Sequence, residues 1–190
     1  MTRPLDDRPA PGRLELLRSF VNTRDIDGRR EAIATPPEAT AWLRSTGLLE
    51  TDVELTAPDH ARVVELREAL RSLLVAHATD GEAPAAITLV NATIDRAGLR
   101  PRLASADAAG VEVTARGADA ALGGLAAIVL AAIAADTWPR LKACPADGCH
   151  WAFYDGSKNR SARWCSMRLC GAKAKRETFR RRHDSAESTI

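Results

Sequence analysis

Apolar residues recur along the first two thirds of the chain at three- and four-residue steps, the period of a helix with one buried face. Leu14, Leu16, Leu17, Phe20 and Val21 set the first such face, and Asn22-Thr23 ends or bends it. Thr35-Pro36-Pro37-Glu38 then offers a capping hydroxyl, two prolines tolerated in a first turn and a glutamate three residues on. The helix that follows carries Trp42 and Leu43 and stops at Gly47.

Thr56-Ala57-Pro58-Asp59 repeats that start signal, and Val63, Leu66, Leu70, Leu73, Leu74 and His77 continue it to a boundary near Asp80-Gly81. Ile87–Ala97 reads as another helix. Leu99–Leu103 and Val111–Ala115 alternate or are β-branched around a turn at Ala106–Gly110, which predicts a hairpin. The Ala-rich stretch from about Ala118 to Ala135 predicts a buried helix, ended by Trp138-Pro139. Its uncharged run, Ala120–Ala135, falls short of the roughly 20 residues a membrane crossing needs. A boundary between a helical domain, 1–138, and a second module, 139–184, is expected there.

Charge divides the chain at the same place. Residues 1–139 hold 15 Lys/Arg against 20 Asp/Glu, whereas Arg140–His183 hold 12 against three. Segregation of this kind predicts an interaction surface. Met1–Gly12 is rich in Pro, Asp and Arg and lacks the apolar run of a secretion signal, so the expected location is the cytoplasm, with no membrane partner.

All four cysteines fall in the basic segment, as Cys144-x4-Cys149 and, fifteen residues on, Cys165-x4-Cys170. Two close pairs separated by a hairpin-sized insert suit a tetrahedral zinc ion, with Pro145, Asp147 and Gly148 turning the first pair. Two disulfides or free thiols are the alternatives; the first fits poorly with a chain lacking a secretion signal. Four thiolates close the coordination shell, so such a zinc is structural. Trp151-Ala152-Phe153-Tyr154 is β-prone, Asp155-Gly156-Ser157 is expected to turn it, and Asn159–Trp164 to lead back to the metal. Ser166 is placed to cap a helix running through Arg168, Lys173, Lys175, Arg176 and Arg180 to Arg182. Knuckle, hairpin and ligand-bearing helix together resemble a treble-clef zinc finger, and so small a segment needs its metal to fold.

The run from Cys144-Pro145 through Cys149-His150-Trp151-Ala152-Phe153-Tyr154-Asp155 and Ser157–Met167 to Cys170-Gly171 and Ala174-Lys175 resembles the CGNR zinc finger. Proteins with that finger carry an N-terminal domain called ABATE and are described as "putative stress-induced transcription regulators" of bacteria. Phe20–Asp25 and the Thr35-Pro36-Pro37-Glu38 helix start are similar to the opening of that domain. The motif's own Cys-Gly-Asn-Arg is Cys170-Gly171-Ala172-Lys173 here, so the Asn amide is lost and a point charge replaces the Arg fork.

The expected fold is thus mainly α with a small β-hairpin, followed by a treble-clef-like four-cysteine finger. The expected function is regulation of transcription through DNA, with RNA binding or docking on an acidic protein as the alternatives. Lys158, Arg160, Arg163, Arg168, Lys173, Lys175, Arg176, Arg180, Arg181 and Arg182 are the candidate phosphate contacts. Arg168, Lys175 and Arg182 recur every seven residues and predict a stripe on one helix side, while Arg160 and Arg163 could instead pack on Trp164. In the front domain Asn22, Arg24, Asp25 and Trp42 are the candidate pocket for a small-molecule effector, and the helical domain could pair two chains. No Gly-rich phosphate loop, His-Glu metal helix or nucleophile elbow occurs, and His60, His77, His150 and His183 share no spacing. No enzyme is expected.

Overall fold

The computed structural model describes residues 8–106 and 108–187. Helix α1 (Leu14–Val21) is followed by a small antiparallel pair, β1 (Arg24–Asp25) and β2 (Arg30–Glu31), then by α2 (Pro36–Ser45), α3 (Ala57–Thr79) and α4 (Pro84–Ala97). A longer ribbon, β3 (Leu99–Ser105) and β4 (Ala108–Val113), leads to α5 (Gly117–Ala134). A single 3-10 turn at Trp138–Arg140 opens the C-terminal module, which contains β5 (Leu141–Ala143), β6 (Ala152–Tyr154), a π turn at Met167–Gly171 and α6 (Ala172–Glu187).

Both predicted capping boxes form. Thr35 and Glu38 exchange side-chain and backbone hydrogen bonds at the head of α2, and Thr56 and Asp59 do the same for α3. At the other end of α3, Asp80 takes the left-handed conformation (φ 53°) that closes a helix. α3 is the central element, and its buried face carries Val63, Leu66, Leu70 and Leu74 into one core with residues of α1, α2, α4 and α5. Arg67 and Arg71 lie on that buried face as well, where spacing alone placed a polar surface.

α5 is long and apolar enough to cross a membrane by length and composition. It packs on α1, α3 and α4 here, with Ala121, Leu125 and Ala126 essentially inaccessible. Gly123 lets it approach the end of α4 and the ribbon: a Cβ there would lie 2.4 Å from the Ala97 Cβ.

Three boundaries differ from those the sequence predicts. α4 begins at Pro84 rather than Ile87, because proline fits the first helical turn. The β3–β4 pairing runs on to Ser105 opposite Ala108, so Ala108–Gly110 are strand rather than turn; small side chains there give no alternation to read. β6 pairs with β5, not with Asn159–Trp164. Leu141 and Ala143 are fully buried in the main core, which makes β5 the strand that the hydrophobic effect holds in place for β6. That core runs without a break across the expected boundary at 138/139, since Trp138, Leu141, Ala143 and Ala152 share it.

Candidate metal centre and basic face

The β5–β6 hairpin holds the first cysteine pair at its tip. Cys144 N–H donates to the Trp151 carbonyl (2.9 Å) and Cys149 N–H to that of Ala146 (2.9 Å), while Gly148 (φ 74°) turns the loop. Of the second pair, Cys170 lies in the π turn and Cys165 just before it, and Ser166 between them caps the turn through its hydroxyl, accepting from Leu169 N–H at 3.3 Å. All four sulfurs lie within 4.8 Å of one another. Cys149 and Cys165 are 3.6 Å apart and Cys165 and Cys170 3.7 Å. A regular tetrahedron with Zn–S bonds of about 2.3 Å has edges of about 3.8 Å, so the cluster fits a four-thiolate zinc site. No position remains for water or substrate, and the zinc is structural.

The thiols themselves call for a cation. Hydrogen bonds from Cys149 and Cys165 hold the Cys144 thiol down to about 2. Burial, then the charge of Cys144, pushes Cys170 up to about 12, and hydrogen bonding to Cys144 raises Cys165 far above the ordinary thiol range. One thiolate suppresses the next until a divalent ion neutralises them, so metal binding releases protons.

Outside the sulfurs, a buried ion pair organises the segment between the cysteine pairs. Lys142 Nζ donates to Asp155 Oδ2 (2.8 Å) and to the carbonyls of Arg160 (2.6 Å) and Ala162 (3.0 Å). Asp155 in turn accepts from Ser157 N–H and Ala162 N–H, each at 2.9 Å. Burial alone would raise the Asp155 pKa, but the Lys142 hydrogen bond and these others outweigh it and hold the carboxyl below its ordinary value. Spacing gave no sign of this pair, because a lone lysine in a basic segment reads as solvated charge.

Three side chains of the helical domain fasten the zinc hairpin by its backbone. Asn22 donates to the Ala152 carbonyl (2.9 Å) and accepts from Ala152 N–H (2.8 Å), acting as a further strand residue. Arg71 donates to the carbonyls of His150 (2.8 Å) and Val21 (2.6 Å), and His77 Nδ1 lies 2.8 Å from the Leu141 carbonyl. Arg67, 1% exposed, joins Thr23, Glu31 and Glu68 beneath them.

The candidate effector residues do not converge on one pocket. Asn22 is committed to Ala152, Trp42 packs on Phe20 with ring centroids 5.3 Å apart, and Arg24 stands 3.8 Å from Glu68. Asn22 and Asp25 share only an open cleft with Arg30, Glu31 and Trp151. Asp25 also lines a second cleft beside the cysteines, which sequence spacing did not reveal.

The cations divide. Lys158, Arg163, Arg168, Lys173, Lys175, Arg176 and Arg180 are all exposed. Arg163 sits 5.7 Å from the Trp164 ring centroid, whereas Arg160 turns away to a two-toothed pair with Asp136. A π turn at Met167–Gly171 separates Arg168 from α6, which carries the other cations of the expected stripe. Arg168, Lys173 and Arg176 line the cysteine-side cleft, and Lys175 is exposed outside that lining. The side chains of Arg181 and Arg182 lie outside the described residues.

Comparison with known families adds two matches. Residues 14–141 match the family model ABATE, described as "Putative stress-induced transcription regulator", and residues 140–183 match that of the CGNR zinc finger. Neither is an enzyme family. No curated protein matches the chain.

Proposed function

Because the chain belongs to the ABATE family and ends in a CGNR zinc finger, we propose that it is a bacterial, cytoplasmic transcription regulator whose zinc module grips nucleic acid, duplex DNA in preference to RNA, through phosphate contacts. One observation carries this reading. Lys158, Arg168, Lys173, Lys175, Arg176 and Arg180 are exposed on the finger and enter no ion pair among the described residues, in a segment, 140–183, that holds 12 Lys/Arg against three Asp/Glu. Exposed cations without ion-pair partners, held on a rigid metal scaffold, are free to neutralise the phosphates of a polyanion. In this reading Cys144, Cys149, Cys165 and Cys170 hold the zinc and the metal takes no part in chemistry.

Phosphate contact supplies affinity without base preference, so the reading carries no target sequence. A gel shift of the zinc-loaded chain with duplex DNA and with RNA across a salt series tests it. A shift that weakens steeply with salt and favours duplex DNA is the expected result; absence of any salt-sensitive shift rejects it. A second reading, docking on an acidic protein, rests on Met167 and Leu169, which are 59% and 43% exposed beside Arg168 and would suit an apolar contact ringed by charge.

A further inference from the structure

A cleft of about 280 Å³, the space against the bare cysteine sulfurs included, lies where the β1–β2 loop meets the zinc module. Charges of both signs line it. Arg168, Lys173 and Arg176, from the π turn and the start of α6, contribute cations, and Asp25 and Asp27 of the loop, with Asp147 of the knuckle, contribute carboxylates. Trp151, Leu169 and Ala146 supply apolar surface, and Cys149, Cys165 and Cys170 reach it.

The acidic loop is set in advance. Asp25, 8% exposed, accepts from Gly28 N–H (3.0 Å) and pairs with Arg30 (2.6 Å). A Cβ on Gly28 would meet the Asp25 carboxylate at 2.3 Å, so the turn closes this tightly only with glycine. Asp27 and Asp147 are exposed and, like the three cations, form no ion pair among the described residues. Charges of both signs thus border one small space without meeting each other.

Net charge decides what such a space would take. The zinc tetrathiolate carries about −2, and together with Asp27 and Asp147 it outweighs the three cations by about one charge. A simple anion gains little there. A dipolar molecule gains at both ends.

We infer that this cleft binds a small zwitterion, its carboxylate on Arg168, Lys173 and Arg176 and its ammonium on Asp27 and Asp147, with any apolar body against Trp151 and Leu169. Occupancy ties the helical domain's loop to the head of α6 and takes three cations away from phosphate. That last step rests on the nucleic-acid reading; the site itself does not.

The probes are glycine, L-phenylalanine and γ-aminobutyrate, titrated calorimetrically into the zinc-loaded chain at millimolar concentration, with N-acetyl-L-phenylalanine and L-phenylalaninamide as controls lacking one charge. At least one zwitterion binds, and capping either end weakens L-phenylalanine about tenfold or more if it is the one bound, the worth of a charge-assisted hydrogen bond. Lys173→Ala and the double variant Asp27→Asn with Asp147→Asn each weaken binding by a similar factor while zinc content and far-ultraviolet dichroism stay unchanged. Saturation with the bound zwitterion lowers DNA affinity of the parent chain but not of the double aspartate variant. Failure of every zwitterion to bind, equal binding of the capped forms, or undiminished binding by both zinc-retaining variants overturns the inference. A chain that shifts DNA yet takes no probe leaves the nucleic-acid reading standing; one that takes a zwitterion but shifts no nucleic acid removes that reading and keeps the site.

Discussion

At the scale of single residues, the helical domain and the finger are joined by polar side chains whose neighbours in sequence give no hint of the partner. Asn22 lies 130 residues from Ala152, yet its amide satisfies both backbone groups there. Asn22→Ala leaves a donor and an acceptor unpaired at a half-buried seam and is expected to cost about 1–3 kcal/mol in chemical denaturation; an unchanged midpoint would show that water replaces the amide at no cost. His77 gives a pH dependence with a definite sign. Burial, joined by the charge of Lys142, holds its pKa below the ordinary 6.5 despite the Leu141 hydrogen bond. The unfolded chain therefore takes up a proton that the fold resists, so stability is full above that value and falls as pH drops through it. His77→Gln keeps an amide donor for the Leu141 carbonyl and cannot titrate. Its stability should vary less with pH between about 7 and 5.5 than that of the parent, and an identical profile would move the effect to other groups.

At the scale of elements, the helices were legible because their signals are local. Thr35-Pro36-Pro37-Glu38 and Thr56-Ala57-Pro58-Asp59 each carry the whole capping geometry in four residues, and both boxes form where the spelling puts them. The metal cluster was legible for the same reason, since two cysteine pairs announce a knuckle and a ligand-bearing helix. What escaped is non-local. β6 chose β5 because Leu141 and Ala143 are held in the distant core, and the two-residue strands at Arg24–Asp25 and Arg30–Glu31 carry only charged residues. A single π turn sets Arg168 apart from the helix that carries Lys175, and no period of seven anticipates it. Lys142→Met isolates the buried Asp155 carboxylate and should cost about 3–5 kcal/mol, read as earlier zinc release on titration with a chelator; zinc retention equal to the parent would mean that the 155–162 segment is held by the metal alone. Gly123→Ala drives a methyl against Ala97 and Leu99 and should lower the thermal midpoint, where a helical Gly→Ala change in open space would raise it.

At the scale of the whole molecule, one apolar core carries the hairpin that carries the metal, and the metal carries the basic helix. Zinc removal should thus expose the finger first and weaken the core afterwards, through loss of the Asn22, Arg71 and His77 contacts to its backbone. The central claim is that this zinc-built face holds nucleic acid by charge. Its most direct measurement is the affinity of the zinc-loaded chain for duplex DNA against salt, beside a variant with Lys175, Arg176, Arg180 and Arg182 all changed to alanine. The account predicts a straight log–log line with a slope of about −0.9 for each phosphate neutralised, and loss of binding in the variant at unchanged zinc content. Affinity indifferent to salt, or retained by the variant, would contradict it.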